Sequence, residues 1–561
     1  MPRTTLSAIW VFLLVSALYT LCIVIYFYPY FPIFSEALIG PPEDNMMDFW
    51  NIWYSQVTME HNFMNFFHTN LIKYPEGTSL YFHSFSYSNL FIIFLIRKLF
   101  SWPISTVLLV KLHNGMLLFS FYLAAVGAFY LTRMFTRSNV SAFFGGFIFA
   151  FSPFHIAHML HHMHVATIQY IPFFLICFFG YMDTRKILFL AGSIFFYWLS
   201  ALSCLYYLIY IGYFMGFFYI YKVISEKKLL LRECLAPIIT ILLGVILLLS
   251  PLVIPMITMS FQSQKVYLNG ESYFNHVADL AGFFVFHPYH LLSRITRPLW
   301  SRFQGNLWEM AVYLGSINLA LFLWAYLNRR RFKIKEMNFL LSGILVFMIL
   351  ASGPYLFFLG KKIIPLPTYV LGVMPFFKHI RTPSRAVVFV YLFLGIGVGL
   401  AIDTITNLYK KRNKVLYSLS VIILLLLVFL DFYPTRLEST AVQCLPAYQV
   451  ITEDKEKDFG IADLPVGYTA GSTYMMYQAA CHGRPIVVAT APEYMEDRLS
   501  HRLDQDDMTL LKEQFVDKRV KYLVLHKNIQ DDKLTEEEIT RYTDSFKKVY
   551  SDQDTIVLQV Y

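Results

Sequence analysis

The chain has 561 residues, of which 57% are hydrophobic, 18% aromatic and only 15% charged, with a mean hydropathy of +0.51. That composition excludes an ordinary soluble enzyme and places the chain among polytopic α-helical membrane proteins. The formal net charge of +9 does not argue for nucleic acid as a partner: the basic residues fall in short clusters between apolar runs, as the positive-inside rule requires.

A span needs roughly 20 mostly apolar residues. Such runs are expected near residues 8–30, 114–131, 138–153, 165–182, 187–203, 204–222, 236–258, 311–328, 337–358, 385–405 and 415–433, about eleven transmembrane helices in all. The opening MPRTT leads into the first run without a small-residue cleavage site, so this run is expected to stay as a span with its amino terminus cytoplasmic. With that register Arg329, Arg330, Arg331, Lys333 and Lys335 fall on the cytoplasmic side, as do Lys410, Lys411, Arg412 and Lys414. Residues 90–96 are apolar but short, and Arg97 and Lys98 follow. Counting them as a span would put the Arg329 cluster outside, so 89–112 is expected to be interfacial or re-entrant. Residues 41–84, the turn near 155–164, the loops 260–310 and 360–384, and everything after about 433 then share the extracytoplasmic face.

The tail changes character. DFGIADLPV and KRVKYLVLH read as buried strands with the helix DDMTLLKEQFVDK between them; TEEEITRYTDSFKKVY reads as a second helix and TIVLQVY as a closing strand. The pattern divides the chain into a transmembrane domain, 1–433, and a small extracytoplasmic α/β domain, 434–561. Cys444 and Cys481 are the only cysteines of the tail; an extracytoplasmic place permits a disulfide, and two unpaired buried thiols are the alternative. With no CxxC in the chain, a structural zinc or redox motif is unsupported.

Four stretches carry residues suited to chemistry. In PPEDNMMDFWNIWY, Asp44 is the candidate general base, with Glu43 and Asp48 to orient substrate, bind a cation or tune its pKa, and Trp50 beside them. On a helix, Asp44 and Asp48 would share a face, though an acid here also suits a helix cap. In FSPFHIAHMLHHMHVATIQ, His155, His158 and His162 are spaced to line one helical face, where they would ligate a divalent metal ion (Mg, Mn or Zn) or remain a hydrogen-bonded interfacial set. In FFKHIRTPSRAVVFV, Lys378, His379, Arg381 and Arg385 breach the positive-inside pattern at a helix start, which suits a phosphate; ordinary anionic headgroups are the alternative. His83, His287, His290 and Glu309 are weaker substrate-contact candidates, with Trp300 and Trp308 nearby. No nucleotide-binding or serine-hydrolase motif stands in a credible context, and acids inside spans are scarce, which favours chemistry at the membrane–water boundary over transport.

The blocks GPPEDNMMDFWNIWY, YPEGTSLYFHSFSYSNL, FIFAFSPFHIAHMLHHMHVATIQYIPF, FFVFHPYHL, GNLWEMAVYLG and IRTPSRAVVFVYL resemble a bacterial and archaeal branch of the GT-C superfamily of integral-membrane glycosyltransferases, similar to protein mannosyltransferase-like enzymes. The resemblance implies a GT-C-like fold and transfer of a sugar from a polyprenyl-phosphate carrier to a glycan, lipid or protein acceptor on the outer face, with inversion. It places the catalytic acid at Asp44, with Glu43 beside it, and the carrier phosphate at Arg381 or Arg385. This mechanism expects the early acids and the late arginines to meet in one pocket. A lipid-linked glycan transporter or flippase, or a non-catalytic envelope-assembly scaffold, is the alternative.

Overall fold

The structure is a computed structural model that describes residues 3–42, 44–61, 66–136, 138–227, 229, 231–262, 276–373, 380–410, 413–435, 437–465, 470–489, 507–527 and 533–561. In chain order, α1 (Arg3–Phe27) leads into β1 (Ala37–Ile39), α2 (Asp44–His61), the short strands β2 (His68–Thr69) and β3 (Thr78–Ser79), and α3 (Tyr87–Leu99). The helices α4 (Thr106–Phe135), α5 (Asn139–Ala150), α6 (Pro153–His161), α7 (Met163–Ala166), α8 (Tyr170–Thr184), α9 (Ile187–Ser203), α10 (Leu205–Glu226) and α11 (Ala236–Gln262) follow. Next come α12 (Ser293–Trp300), α13 (Ser316–Phe332), α14 (Met337–Ala351), the hairpin β4 (Tyr355–Phe358) and β5 (Lys361–Pro365), α15 (Tyr369–Val373), α16 (Val387–Lys410) and α17 (Lys414–Asp431). Among the described residues eight helical stretches are long and apolar enough to cross a membrane, and Ile187–Ser203 and Met337–Ala351 are shorter apolar helices. Of the eleven runs expected to span, 311–328 is helical only from Ser316 and 337–358 only to Ala351, with β4 starting at Tyr355, while the others are helical over most of their length.

Two compact units emerge. The first comprises Met1–Pro32, Gly115–Ser250 and Leu268–Leu437. Its core is helix on helix, with α5 lying backbone-close to both α16 and α4. A Cβ on Gly395 would lie 2.8 Å from the Gly145 carbonyl oxygen, and one on Gly146 would lie 2.5 Å from that of Ala125. Backbone cannot retreat as a side-chain tip can, so only glycine fits. Gly395→Ala is expected to destabilise the protein by about 1–3 kcal/mol through overpacking, read as a lowered unfolding midpoint in detergent. The end of α17 supplies a cap to another helix: the buried Asp431 carboxylate accepts the backbone N–H groups of Ser316, Ile317 and Asn318 (3.1, 2.9 and 3.3 Å) and the Tyr313 hydroxyl (2.9 Å). Those are N–H groups that α13 cannot satisfy within itself.

The second unit comprises Ile33–Asn114, Pro251–Tyr267 and Glu438–Tyr561. It adds β6 (Ser439–Ala441), α18 (Gln449–Thr452), β7 (Gly460–Leu464), α19 (Ala470–His482), α20 (Met508–Asp517), β8 (Val520–His526), α21 (Glu536–Ser545), β9 (Lys547–Ser551) and β10 (Thr555–Gln559). The tail sheet runs β7-β8-β10-β9, parallel between β7 and β8 and antiparallel elsewhere. The expected second helix is shorter than the sequence suggests. Thr535 and Glu538 close a capping box at its start, but the chain turns extended at Phe546, and Lys547–Ser551 pairs with β10. Asp552 fixes that hairpin by accepting the N–H groups of Asp554 and Thr555 (2.9 and 2.7 Å).

The first loop and the tail interlock within this unit. β1 pairs antiparallel with β6, Leu38 opposite Thr440. Asn114 clamps β1, donating to the Ala37 carbonyl (2.8 Å) and accepting from the Ile39 N–H (3.1 Å). Phe49 of α2 meets Tyr477 of α19 edge-on, centroids 5.4 Å apart, and Ile72 bridges to Ile486. Within residues 89–112 the chain breaks between two helices, α3 ending at Leu99 and α4 beginning at Thr106. Arg97, buried, accounts for the break in apolarity by pairing with Glu60 of α2 (2.8 Å) and donating to Gln56 (3.0 Å). Cys444 and Cys481 are joined as a disulfide across 37 residues, Cα atoms 5.7 Å apart. Replacing both by serine is expected to cost about 2–4 kcal/mol of this unit's stability, measured as a lower unfolding midpoint that reductant no longer shifts.

Candidate functional site

In the second unit, the first loop builds a polar row beneath one half-buried acid. Asp44 is the first residue of α2 and is half-buried; Asp48, one turn on, is buried. Asn51 donates to Asp48 Oδ1 (3.4 Å) and its own Oδ1 lies 2.7 Å from His83 Nε2. An amide oxygen accepts, so His83 carries its proton on Nε2 and the row runs His83, Asn51, Asp48. The expected shared face of Asp44 and Asp48 is therefore helical, and it is extended by Asn51. Sequence reasoning passed over Asn51, although its spacing of three from Asp48 was the signal. Trp50 is fully buried with Tyr54 stacked on it (4.8 Å, 10°). It belongs to the packing of α2, where it supports the row and offers no open shelf.

Burial pushes the His83 imidazole down to about 4, against the opposing pull of the Asp44 charge. An unfolded chain protonates this histidine near about 6.5. Between those values the unfolded state binds more protons, so stability is full above pH of about 6.5 and falls as the pH drops towards 4. The unfolding midpoint should decline on acidification over that window, and His83→Gln should flatten part of the decline.

The first unit holds a buried ionic knot. Glu309 accepts from Arg385 Nη2 (2.6 Å) and Nε (2.8 Å) at one oxygen and from the Ser384 hydroxyl (2.6 Å) at the other. Arg385 also lies over the Tyr206 ring, 4.9 Å from its centroid. His158 Nε2 stands 3.7 Å from Glu309 Oε2, and neither of its nitrogens has a hydrogen-bond partner among the described residues. Residues expected to serve two different ligands, Glu309 and Arg385, are thus each other's partners; Glu309 offsets the arginine charge that breached the positive-inside pattern. Ser384, adjacent in sequence, was not singled out. Arg381 is exposed. Glu43, Lys378 and His379 lie outside the described residues.

The remaining histidines divide. His290 Nδ1 accepts the Leu292 N–H (3.0 Å) and its Nε2 donates to the Asp431 carbonyl (3.1 Å), so both nitrogens hold the loop together. His287 Nδ1 accepts the Tyr289 N–H (3.3 Å), while its buried Nε2 has no partner among the described residues. Burial holds the His290 ring down to about 4 and His287 well below its usual range, so both are neutral. The stripe His155, His158 and His162 does not gather as expected. His155 is stacked on Phe121 (3.8 Å, 6°), with Nδ1 on the Ala150 carbonyl (2.7 Å) and Nε2 3.1 Å from Ser120 Oγ. α6 stops at His161, and His162 has left the helix (φ −147°, ψ 89°), so the seven-residue spacing no longer maps to one face. Among the described residues no three His, Cys, Asp or Glu side chains form a metal-binding group.

A family model described as a domain of unknown function (DUF6311) matches residues 50–433. No curated protein matches the sequence. Among solved structures, the apo oligosaccharyltransferase of Archaeoglobus fulgidus is similar over 97% of this chain and 74% of its own, with a TM-score of 0.54 at 12% identity. The Archaeoglobus fulgidus oligosaccharyltransferase AglB in complex with an inhibitory peptide and a dolichol-phosphate aligns over 92% of this chain and 69% of its own (TM-score 0.48, 12% identity). ArnT from Cupriavidus metallidurans bound to undecaprenyl phosphate aligns over 98% of each chain (TM-score 0.40, 9% identity). The likeness to the apo archaeal enzyme is one of fold, GT-C-like and mostly helical with a small mixed sheet in the tail.

Proposed function

The chain belongs to the DUF6311 family, and from that premise we propose that it is a membrane glycosyltransferase, moving a sugar from a polyprenyl-phosphate carrier to an acceptor hydroxyl at the extracytoplasmic face. The observation that carries this reading is the place of Asp44: a half-buried carboxylate at the start of α2, one turn above the buried Asp48, in the loop that follows the first span. The GT-C-like fold supports it by analogy. Residues 1–433 then hold the membrane part of the reaction and 434–561 an extracytoplasmic domain.

In the proposed reaction the acceptor hydroxyl loses its proton to Asp44 and its oxygen bonds to the anomeric carbon. The bond from that carbon to the phosphate oxygen breaks on the opposite face, so the sugar inverts. Polyprenyl phosphate leaves as a stable anion, which makes cationic contacts more important than a general acid. Arg381 is the proposed phosphate contact, with Lys378 and His379 beside it in sequence. Arg385, already paired with Glu309, which also accepts from Ser384, acts through its position.

The test reconstitutes the purified chain with a labelled polyprenyl-phosphate sugar and membranes of a deletion strain as the acceptor pool. The expected result is release of free polyprenyl phosphate, with the label in a new glycoside. Label that crosses the bilayer with its carrier bond intact would instead establish a flippase.

A further inference from the structure

We propose that α12 and the β4–β5 hairpin form an apron that lies in the headgroup layer of the bilayer and binds the phosphates of anionic lipids. Both elements belong to the first unit, and hydrogen bonds together with a small buried apolar set fix them side by side. The Asp279 carboxylate accepts the N–H groups of Leu359 and Gly360 at the hairpin turn (3.0 and 2.7 Å), and Gln304, just past α12, donates to the Gly360 carbonyl (3.2 Å). Trp300 and Leu359 pack against the buried set Ala281, Phe303 and Met310. Beyond those anchors the surface is open and has two characters. Leu291, Ile295, Phe358, Ile363 and Ile364 are exposed by 54, 71, 46, 53 and 51%. Arg294, Arg297, Arg302, Lys361 and Lys362 are exposed among them, and residues 291–302 and 355–365 contain no Asp or Glu.

A two-stranded hairpin whose second strand is exposed along its whole length has no stability of its own in water and presents an apolar edge that is unpaired among the described residues. Something covers it. The unbroken positive charge selects the cover: apolar side chains interleaved with Lys and Arg suit the boundary between acyl chains and anionic headgroups, where each cation meets a lipid phosphate. A second copy of the chain docking face to face would set these cations against one another. On the topology expected from the sequence both elements lie outside the cytoplasm, so the positive-inside rule gives no other reason for their charge.

The test places the full chain in nanodiscs of phosphatidylcholine alone or mixed with phosphatidylglycerol, carrying an environment-sensitive fluorophore at Ile295→Cys or Ile363→Cys. Quenching by lipids with a nitroxide at headgroup depth, and protection from aqueous iodide that increases with phosphatidylglycerol, are expected. By native mass spectrometry, a variant with Arg294, Arg297, Arg302, Lys361 and Lys362 all changed to Gln should lose bound phosphatidylglycerol relative to the unmodified chain. A label open to iodide and untouched by the nitroxide would overturn the proposal. So would unchanged phosphatidylglycerol retention, or protection that arises from a second copy or an acidic protein partner. Loss of lipid quenching in excess inorganic phosphate would mark a soluble-phosphate site instead. The fluorophore arm uses the native charges, so it stands even if the charge-free variant does not fold.

Discussion

Asp44→Asn is expected to lower sugar transfer on the order of 10²- to 10⁴-fold, the range over which a positioned general base contributes. The substitution keeps the shape of the side chain and its suitability at the start of a helix, since Asn and Asp are comparable there. α2 should therefore form as before, with Asp48, Asn51 and His83 still in their row beneath it. What is lost is the capacity to take a proton. The measurement is the initial rate at saturating donor, alongside polyprenyl phosphate retained by the purified protein, which should not change. Transfer at the unmodified rate would remove Asp44 from the reaction. An effect confined to the Michaelis constant would mark Asp44 as a binding residue.

Glu309→Gln should produce the largest loss of stability, roughly 3–5 kcal/mol, because it leaves Arg385 as a buried charge without its counter-charge. The carboxylate accepts three hydrogen bonds from Arg385 and Ser384, and both residues are nearly withdrawn from solvent. An amide cannot accept them all and supplies no negative charge. Removing the arginine as well, in Glu309→Gln with Arg385→Gln, should recover a large part of the loss, since the cost lies in the unpaired ion more than in the missing pair. Unfolding midpoints of the two singles and the double in detergent give the coupling directly. Additive effects would mean that the pair contributes nothing as a pair.

The two experiments separate the halves of the reading. Asp44 carries the proposed chemistry and little of the fold. Glu309 carries the fold around Arg385 whatever the reaction is, so a stable but inactive Asp44 variant and an unstable Glu309 variant are the expected pair of outcomes.

Much of the architecture was legible along the chain because its signals are local. A run of about 20 apolar residues needs no distant partner to be helical in a bilayer, since every backbone group must be satisfied within the segment. The short apolar runs in GIADL and VKYLVLH likewise identified buried strands of the tail sheet, and the spacing of Asp44 and Asp48 put both on α2. Local signals also misled. The spacing of His155, His158 and His162 promised one face only if a single helix continued, and it stops at His161. FKKVY has enough helical character to extend α21 on paper, yet a hairpin partner in β10 takes it as a strand.

The sequence by itself determined that this is a multi-pass membrane protein with an α/β tail, because hydrophobic length and period are properties of neighbouring residues. Only the tertiary structure decided that Arg385 answers Glu309, 76 residues away, that Cys444 meets Cys481, and that the first loop pairs with the tail through β1 and β6. A buried charge, a thiol or a strand edge announces that it needs a partner, but several residues of the right type compete for each. Which one wins depends on packing between segments far apart in the chain.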